Sequence, residues 1–390
     1  MPDIGVEIPA RTVVTAEHML FDAPREQRYL IGNEAVAEAV KRANVDFVVV
    51  YPITPQSEVS HLCGDLWARG LIRDYYRGED ELHVMVSAMG AATGGVRVFT
   101  ATSGPGTMRA MEAISCWPGY RLPLVCAFMG RGVGTPANIQ PDSVEIAYLL
   151  ETGMIIFHVE NPQDFFDMTI AAYAIAEQPE VHVPVAVFAD GFFVTHSREV
   201  VELPPESEVL ARYDPAVAPV PAMDMETVPV RMARDCLVIK SNFISYNANA
   251  SWQQEVWAAQ HRARKHINRL MGGSVEVLHP DAEILLVASG SAAAQARVAM
   301  QEARRQGLDV GFVKIKVIRP FPEREVVEAC KKAKHILIPE FNMNGWLARE
   351  VKSRVDNNSR IFAGPRVFAG MTMPPELILD EMHKLVGART

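Results

Sequence analysis

The sequence predicts an α/β protein of two units, a doubly wound parallel sheet followed by a smaller α/β domain, and three observations carry that prediction. Six short apolar runs alternate with helical-period segments from Asn33 to Asp190. The alternation stops over a proline-rich stretch containing LPPESEV and PAVAPVPAMD. It resumes near Ala282 with EILLVASGS, which opens the first of three strand and helix pairs. Strands covered on both faces read as such near-continuous apolar runs.

Taken in order, residues 1–28 contain Pro2, Pro9 and Pro24 without a sustained period and are expected to form an N-terminal arm. Residues 29–200 form the first domain: the helix NEAVAEAVKRA with basic residues at its end, the strand DFVVVYP, the helix SEVSHLCGDLWARG and a short strand near IRDYY. A small-residue helix follows, then the strand VRVFTA, the helix TMRAMEAISCW, the strand LPLVCAFMG, a glycine/proline loop and a helix through SVEIAYLLE. The strands MIIFHVE and VPVAVFAD flank the helix FFDMTIAAYAIAE. Residues 201–275 are expected to be a connector that wraps rather than packs as a core, and residues 276–390 the second domain.

Composition narrows the function. The 390 residues are 49% apolar and 22% charged, with a net charge of -9, and the pI near 5.7 argues against a nucleic-acid or anionic-membrane surface. No apolar run reaches the roughly 18 residues of a spanning helix, and the start of the chain lacks a signal pattern, so a cytoplasmic location is expected. The five cysteines, Cys63, Cys116, Cys126, Cys236 and Cys330, are scattered and never form CxxC. They suit buried reduced thiols, and neighbouring ligands build neither a zinc nor an iron-sulfur site.

In an open parallel sheet the ligand loops follow the carboxyl ends of the strands. Those loops are YPITPQS, the GEDE entry, ATSGPGT, MGRGVGTP and ADGFF. SGPG precedes a helix and offers free amides, but it is neither GxGxxG nor a P-loop. In YPITP, Pro52 and Pro55 bracket Ile53 and Thr54 and present the Thr54 hydroxyl. GEDE places acids at a helix start, which the helix dipole favours without any function. In that helix Ala88, Gly90, Ala91, Ala92, Gly94 and Gly95 leave one face nearly bare, open to close approach by something bulky. His61, His83 and His196 lie near these loops, and packed or solvated histidines explain them.

GNEAVAEA, VYPITPQSE, EDE before a Gly-Ala helix and FTATSGPG, in this order, resemble the alpha subunit of the 2-oxoacid:ferredoxin oxidoreductases. ILLVASGS, VIRPFP and IPEFNMNG resemble the transketolase-C-terminal-like domain of the same family. The resemblance implies a pyrimidine-binding domain of a thiamine enzyme, with thiamine pyrophosphate shared with a partner subunit. It further implies that a beta subunit carries the diphosphate and Mg²⁺ half-site, that a cluster-bearing gamma/delta-type subunit holds [4Fe-4S] clusters, and that ferredoxin accepts electrons. An isolated chain would then bind the cofactor weakly.

By resemblance, the carboxylate that contacts the aminopyrimidine is Glu81, nine residues before Gly90, with Glu79 second. Tyr51, Ile53, Ser103 and Gly104 would also line the cofactor, and Thr54 would contact the substrate carboxylate. Arg131, after the strand LPLVCAFMG, would bind a carboxylate or line the site. Arg109 departs from the family's usual apolar residue. As a cation near a helix start it suggests a second carboxylate, and oxalate is the substrate first expected, with pyruvate or 2-oxoglutarate and coenzyme A as the alternative. An ion pair with a nearby acid explains Arg109 equally well. A non-redox thiamine enzyme or a non-catalytic scaffold are the competing classes.

Overall fold

The computed structural model describes residues 26–134, 137–212, 242–356, 360–368 and 370–387. The expected arm up to residue 25, most of the proline-rich stretch and Cys236 lie outside the described residues.

In the first unit the strands are β1 (Glu26–Ile31), β2 (Phe47–Val50), β3 (Asp74–Arg77), β4 (Val98–Thr102), β5 (Val125–Gly130), β6 (Ile155–Val159), β7 (Val185–Asp190) and β8 (Arg198–Leu203). Between them run α1 (Gly32–Arg42), α2 (Ser57–Ala68), α3 (Glu81–Thr93), α4 (Pro105–Arg109), α5 (Met111–Cys116), α6 (Val144–Leu149) and α7 (Pro162–Ala176), with α8 (Glu206–Arg212) and α9 (Asn242–Met271) after β8. The second unit has β9 (Val275–Leu278), β10 (Ile284–Ala288), α10 (Ser291–Arg305), β11 (Val310–Ile315), β12 (Val317–Arg319) and α11 (Glu323–Cys330). It ends with β13 (His335–Glu340), α12 (Trp346–Lys352), β14 (Ile361–Arg366) and α13 (Pro375–Gly387).

The central sheet has the order β12-β6-β7-β5-β4-β2-β3, and its six strands from the first unit are parallel. The second sheet has the order β14-β13-β10-β11-β9. Helix α7 shows how local chemistry sets this arrangement. Asn161 caps it by accepting from the Asp164 N–H at 2.8 Å, Pro162 opens its first turn, and nearly every later residue is apolar and buried. It therefore packs as a core helix under the sheet. All six parallel strands point their carboxyl ends at one edge, which brings the five loops singled out above together.

Three expectations change. The run DVGFVKIKVI is two strands rather than one, because β11 stays in the second sheet while β12 crosses to pair antiparallel with β6. The segment TMRAMEAISCW breaks at Ala110 into α4 and α5. The connector helix α9 packs as core, with Ala259, Ala263 and Ile267 fully buried in the cluster of the first domain. Strand β1 pairs antiparallel with β8 in a ribbon that spans the expected boundaries at residues 28 and 200.

The two units are joined by buried polar contacts. Asp190 Oδ2, at the end of β7, accepts from Ser291 N–H at 2.9 Å and Ser291 O–H at 2.7 Å. The His158 ring contacts Ser289 Oγ at 2.7 Å on its other side. Burial alone would raise the Asp190 carboxyl, but His158 and the two Ser291 donors outweigh it and hold it below the ordinary range. Lys314, also buried, lies 2.6 Å from both Glu160 and Asp164 across the same junction. No helix among the described residues is long and apolar enough to cross a membrane.

Candidate active site

The loops after β2, β4 and β5 meet the start of α3. Asp80 caps α3 by accepting from His83 N–H at 2.7 Å, which puts Glu81 at its first position, half-buried and pointing across the SGPG turn. A methyl group at Gly106 would stand 2.7 Å from Glu81 Oε1 and equally close to Thr102 Oγ1, so the glycine leaves the space those side chains use. Gly104 adopts φ 51°, a left-handed turn suited to glycine, and a methyl group there would stand 2.6 Å from Arg131 Cγ. Glu81 and Arg131 thus flank one turn. Glu79, the second choice, is exposed outside this contact.

Arg131 follows β5. Its burial pulls the guanidinium below its ordinary value, against the opposing pull of Glu145 and Glu81. Its Nε is buried and has no hydrogen-bond partner among the described residues, as is also true of Thr102 Oγ1. The Thr54–Pro55 peptide is cis, and Thr54 is exposed at the head of the YPITP loop, beside half-buried Tyr51 and Ile53. Ser103 Oγ donates to Met129 O at 2.6 Å and lies 3.2 Å from Thr54 O, which ties the β2 loop to the SGPG turn. Asn33 in α1 donates to Pro55 O at 2.8 Å and holds the loop from behind. This is the structural use of the GNEAVAEA motif.

Arg109 is displaced from the expected role. It sits on the exposed side of α4, 59% exposed, and its Nη2 lies 2.8 Å from Asp80 Oδ2. Because the helix breaks at Ala110, Arg109 stands in the last turn of α4, where the dipole suits a cation; its pair with Asp80, after the His83 N–H, lowers the Asp80 carboxyl. The histidines also have ordinary surroundings: His61 is exposed, His83 stacks edge-on to Tyr76, and His196 lies 3.5 Å from Glu58. Cys63, Cys126 and Cys330 are buried free thiols, whereas Cys116 is exposed. Among the described residues no group of three or more His, Cys, Asp or Glu is arranged to hold a metal ion.

One residue was missed. Glu145, in the first turn of α6, is fully buried. It accepts from Thr107 O–H at 2.5 Å and from Arg131 N–H at 2.8 Å. Burial pushes its carboxyl up to about 7 despite these donors. An acid in a helix first turn carries no signal beyond the dipole preference, so its sequence position did not mark it.

Comparisons with known proteins give the family. Residues 38–263 match the family model described as pyruvate flavodoxin/ferredoxin oxidoreductase, thiamine diP-binding. Residues 282–375 match that of the pyruvate:ferredoxin oxidoreductase core domain II. The pyruvate synthase subunit PorA of Methanothermobacter thermautotrophicus is 32% identical over 84% of this chain and 87% of its own length. The ketoisovalerate oxidoreductase subunit VorA of Pyrococcus abyssi is 28% identical over 85% and 86%. A solved 2-oxoglutarate:ferredoxin oxidoreductase from Magnetococcus marinus, with 2-oxoglutarate, coenzyme A and succinyl-CoA bound, superposes with a TM-score of 0.75 at 19% identity. That superposition covers 92% of this chain and 65% of the other, so this chain spans somewhat under two thirds of its length. Two domain models in the expected order, a relative of nearly the same extent and the shared fold lead to one conclusion: the chain belongs to the 2-oxoacid:ferredoxin oxidoreductase family, as an alpha subunit.

Proposed function

We propose that this subunit supplies the aminopyrimidine side of a thiamine diphosphate site for oxidative decarboxylation of a 2-oxoacid with one carboxylate, pyruvate or a branched-chain homologue, with coenzyme A taking the acyl group. The observation that carries the reading is the pairing of Glu81 and Arg131 across the Gly104–Gly106 turn. The residues fit the cofactor: a half-buried carboxylate faces a turn from which glycine has removed the side chains, beside an unpartnered Thr102 hydroxyl. When bound, thiamine diphosphate supplies a nucleophilic carbon and an electron sink for decarboxylation.

In this reading Glu81 holds a proton at the aminopyrimidine ring nitrogen, which favours the tautomer able to act as base. Tyr51, Ile53, Ser103 and Gly104 form the walls beside it. Arg131 and the Thr54 hydroxyl take the substrate carboxylate, a charge-assisted contact that fixes the 2-oxo carbon relative to Glu81. Oxalate is set aside, because its second carboxylate was assigned to Arg109, which Asp80 already occupies. The relatives, named for pyruvate and ketoisovalerate, favour the one-carboxylate alternative. Those names also describe subunits, which supports a multi-subunit complex; in this reading a partner chain carries the diphosphate and Mg²⁺ half-site, another holds the clusters, and ferredoxin is the acceptor.

The test is substrate-dependent reduction of ferredoxin or viologen by the assembled complex, offered pyruvate, 2-oxoisovalerate, 2-oxoglutarate and oxalate with and without coenzyme A. Turnover of pyruvate or 2-oxoisovalerate that needs coenzyme A is expected. Oxalate turnover without coenzyme A would overturn the substrate assignment. Decarboxylation with no acceptor reduced would favour a non-redox thiamine enzyme.

A further inference from the structure

We infer that Glu145 is a positioning residue of this site: it fixes Arg131 against the Gly104–Gly106 turn, so that the guanidinium meets the substrate carboxylate at a set distance from Glu81. The inference rests on the reading of Arg131 given above. Glu145 joins three segments that share no strand or helix. Glu145 itself stands in α6; its Oε1 takes the Thr107 hydroxyl of α4 at 2.5 Å and its Oε2 takes the Arg131 N–H after β5 at 2.8 Å. It grips Arg131 by the main chain. The guanidinium is therefore left free, and its Nε has no partner among the described residues.

Burying a carboxylate among apolar groups is unfavourable, and scaffolding alone does not require it. A glutamine has the same shape and can accept from the Arg131 N–H while donating to the Thr107 hydroxyl. The charge is explained by what it faces. Arg131 lies on one side with Glu81 beyond it, both acting on the guanidinium. The Cys126 thiol of β5, itself pushed up by burial and by Glu145, lies behind. A carboxylate there takes the Arg131 N–H and the Thr107 hydroxyl at once and holds α4 and Arg131 in register. An amide oxygen draws them less strongly.

The experiment compares Glu145→Gln, Thr107→Val and Arg131→Gln in the assembled complex. It reads KM and kcat for pyruvate, thiamine diphosphate affinity and melting temperature. For Glu145→Gln the expected result is a KM raised about tenfold or more with kcat within about threefold, an unchanged cofactor affinity and a melting temperature that does not fall. Thr107→Val, which removes one donor and keeps the shape, is expected to raise KM by a smaller factor, and it reports even if the first variant fails to assemble. A melting temperature that falls together with kcat and cofactor affinity would mark a purely structural role and overturn the inference. A raised KM in Arg131→Gln with an unchanged one in the other two would overturn it alone. An unchanged KM in Arg131→Gln would overturn the site reading and this inference with it.

Discussion

Gly106 makes room for Glu81: a Cβ on the glycine would lie 2.7 Å from both Cγ and Oε1 of the glutamate. Gly106→Ala is therefore expected to move the Glu81 carboxylate or the turn by several tenths of an ångström. Thiamine-dependent activity of the complex should drop by up to about 10²-fold, the loss that a misplacement of about 1 Å can bring. Assay of the purified variant complex at saturating cofactor checks this.

At the junction of the two units, Gly290 has φ 63° and a Cβ there would lie 2.0 Å from His158 Nε2. Both the backbone and the space demand glycine. Gly290→Ala is expected to destabilise the chain by about 1–3 kcal/mol or more through overpacking and strain. A denaturant midpoint unchanged from the wild type would contradict the close junction.

These two glycines also show how much could be read from the chain. SGPG stands out as a turn after a strand, whereas ASGS reads only as the end of the run EILLVASGS, and the buried strands of both sheets follow from their apolar runs. Their partners did not stand out, because contact across the sheet edge leaves no local periodicity. Asp80 and Arg109 are 29 residues apart, and only the folded chain shows that the acid capping α3 also neutralises the cation of α4. Glu145 lies 38 residues beyond Thr107 and resembles any acid in a helix first turn. The single apolar run from Val310 to Arg319 hid a change of sheet, since an apolar pattern records burial and not which sheet provides it.

Stability should fall as pH rises through neutrality because of two acids, one in the first turn of α6 and one just before it. Glu145 is raised to about 7 and Asp142 to about 6, in each case first by burial. Both bind protons in the native state that the unfolded chain has already released, so their contribution is present at low pH and is lost as pH climbs through those values. For Glu145 the change is on the order of 3 kcal/mol, since each tenfold difference in proton affinity between the folded and unfolded chain is worth about 1.4 kcal/mol. The denaturant midpoint should fall from pH 5 to pH 8, and fall less in Glu145→Gln. Carboxyls held low by ion pairs, such as Glu180 at about 2, act in the opposite direction but at more acid pH.

Arg109→Leu should do little. Its pair with Asp80 is exposed, and solvent-screened pairs of this kind contribute little to stability. KM for pyruvate is expected to stay within about threefold of the wild type, since in this reading the arginine does not touch substrate. A rise of tenfold or more would return Arg109 to the site.

The small residues of α3 do not form one bare face: Ala88 and Ala92 are buried in the core, whereas Gly90 is exposed and an added Cβ there would meet nothing within 4 Å. Gly90→Leu is therefore expected to leave the fold of this chain intact. If a partner packs on this face, the same change weakens assembly, and sedimentation of the reconstituted complex reads it. Full assembly at wild-type affinity would place the partner elsewhere.

The most direct test of the central claim is the activity of assembled complexes carrying Glu81→Gln or Glu79→Gln, measured as pyruvate-dependent ferredoxin reduction. If Glu81 is the carboxylate that serves the aminopyrimidine, its variant should lose roughly 10²–10⁴-fold in rate while Glu79→Gln stays near the wild type. Full activity in Glu81→Gln would contradict the site as described.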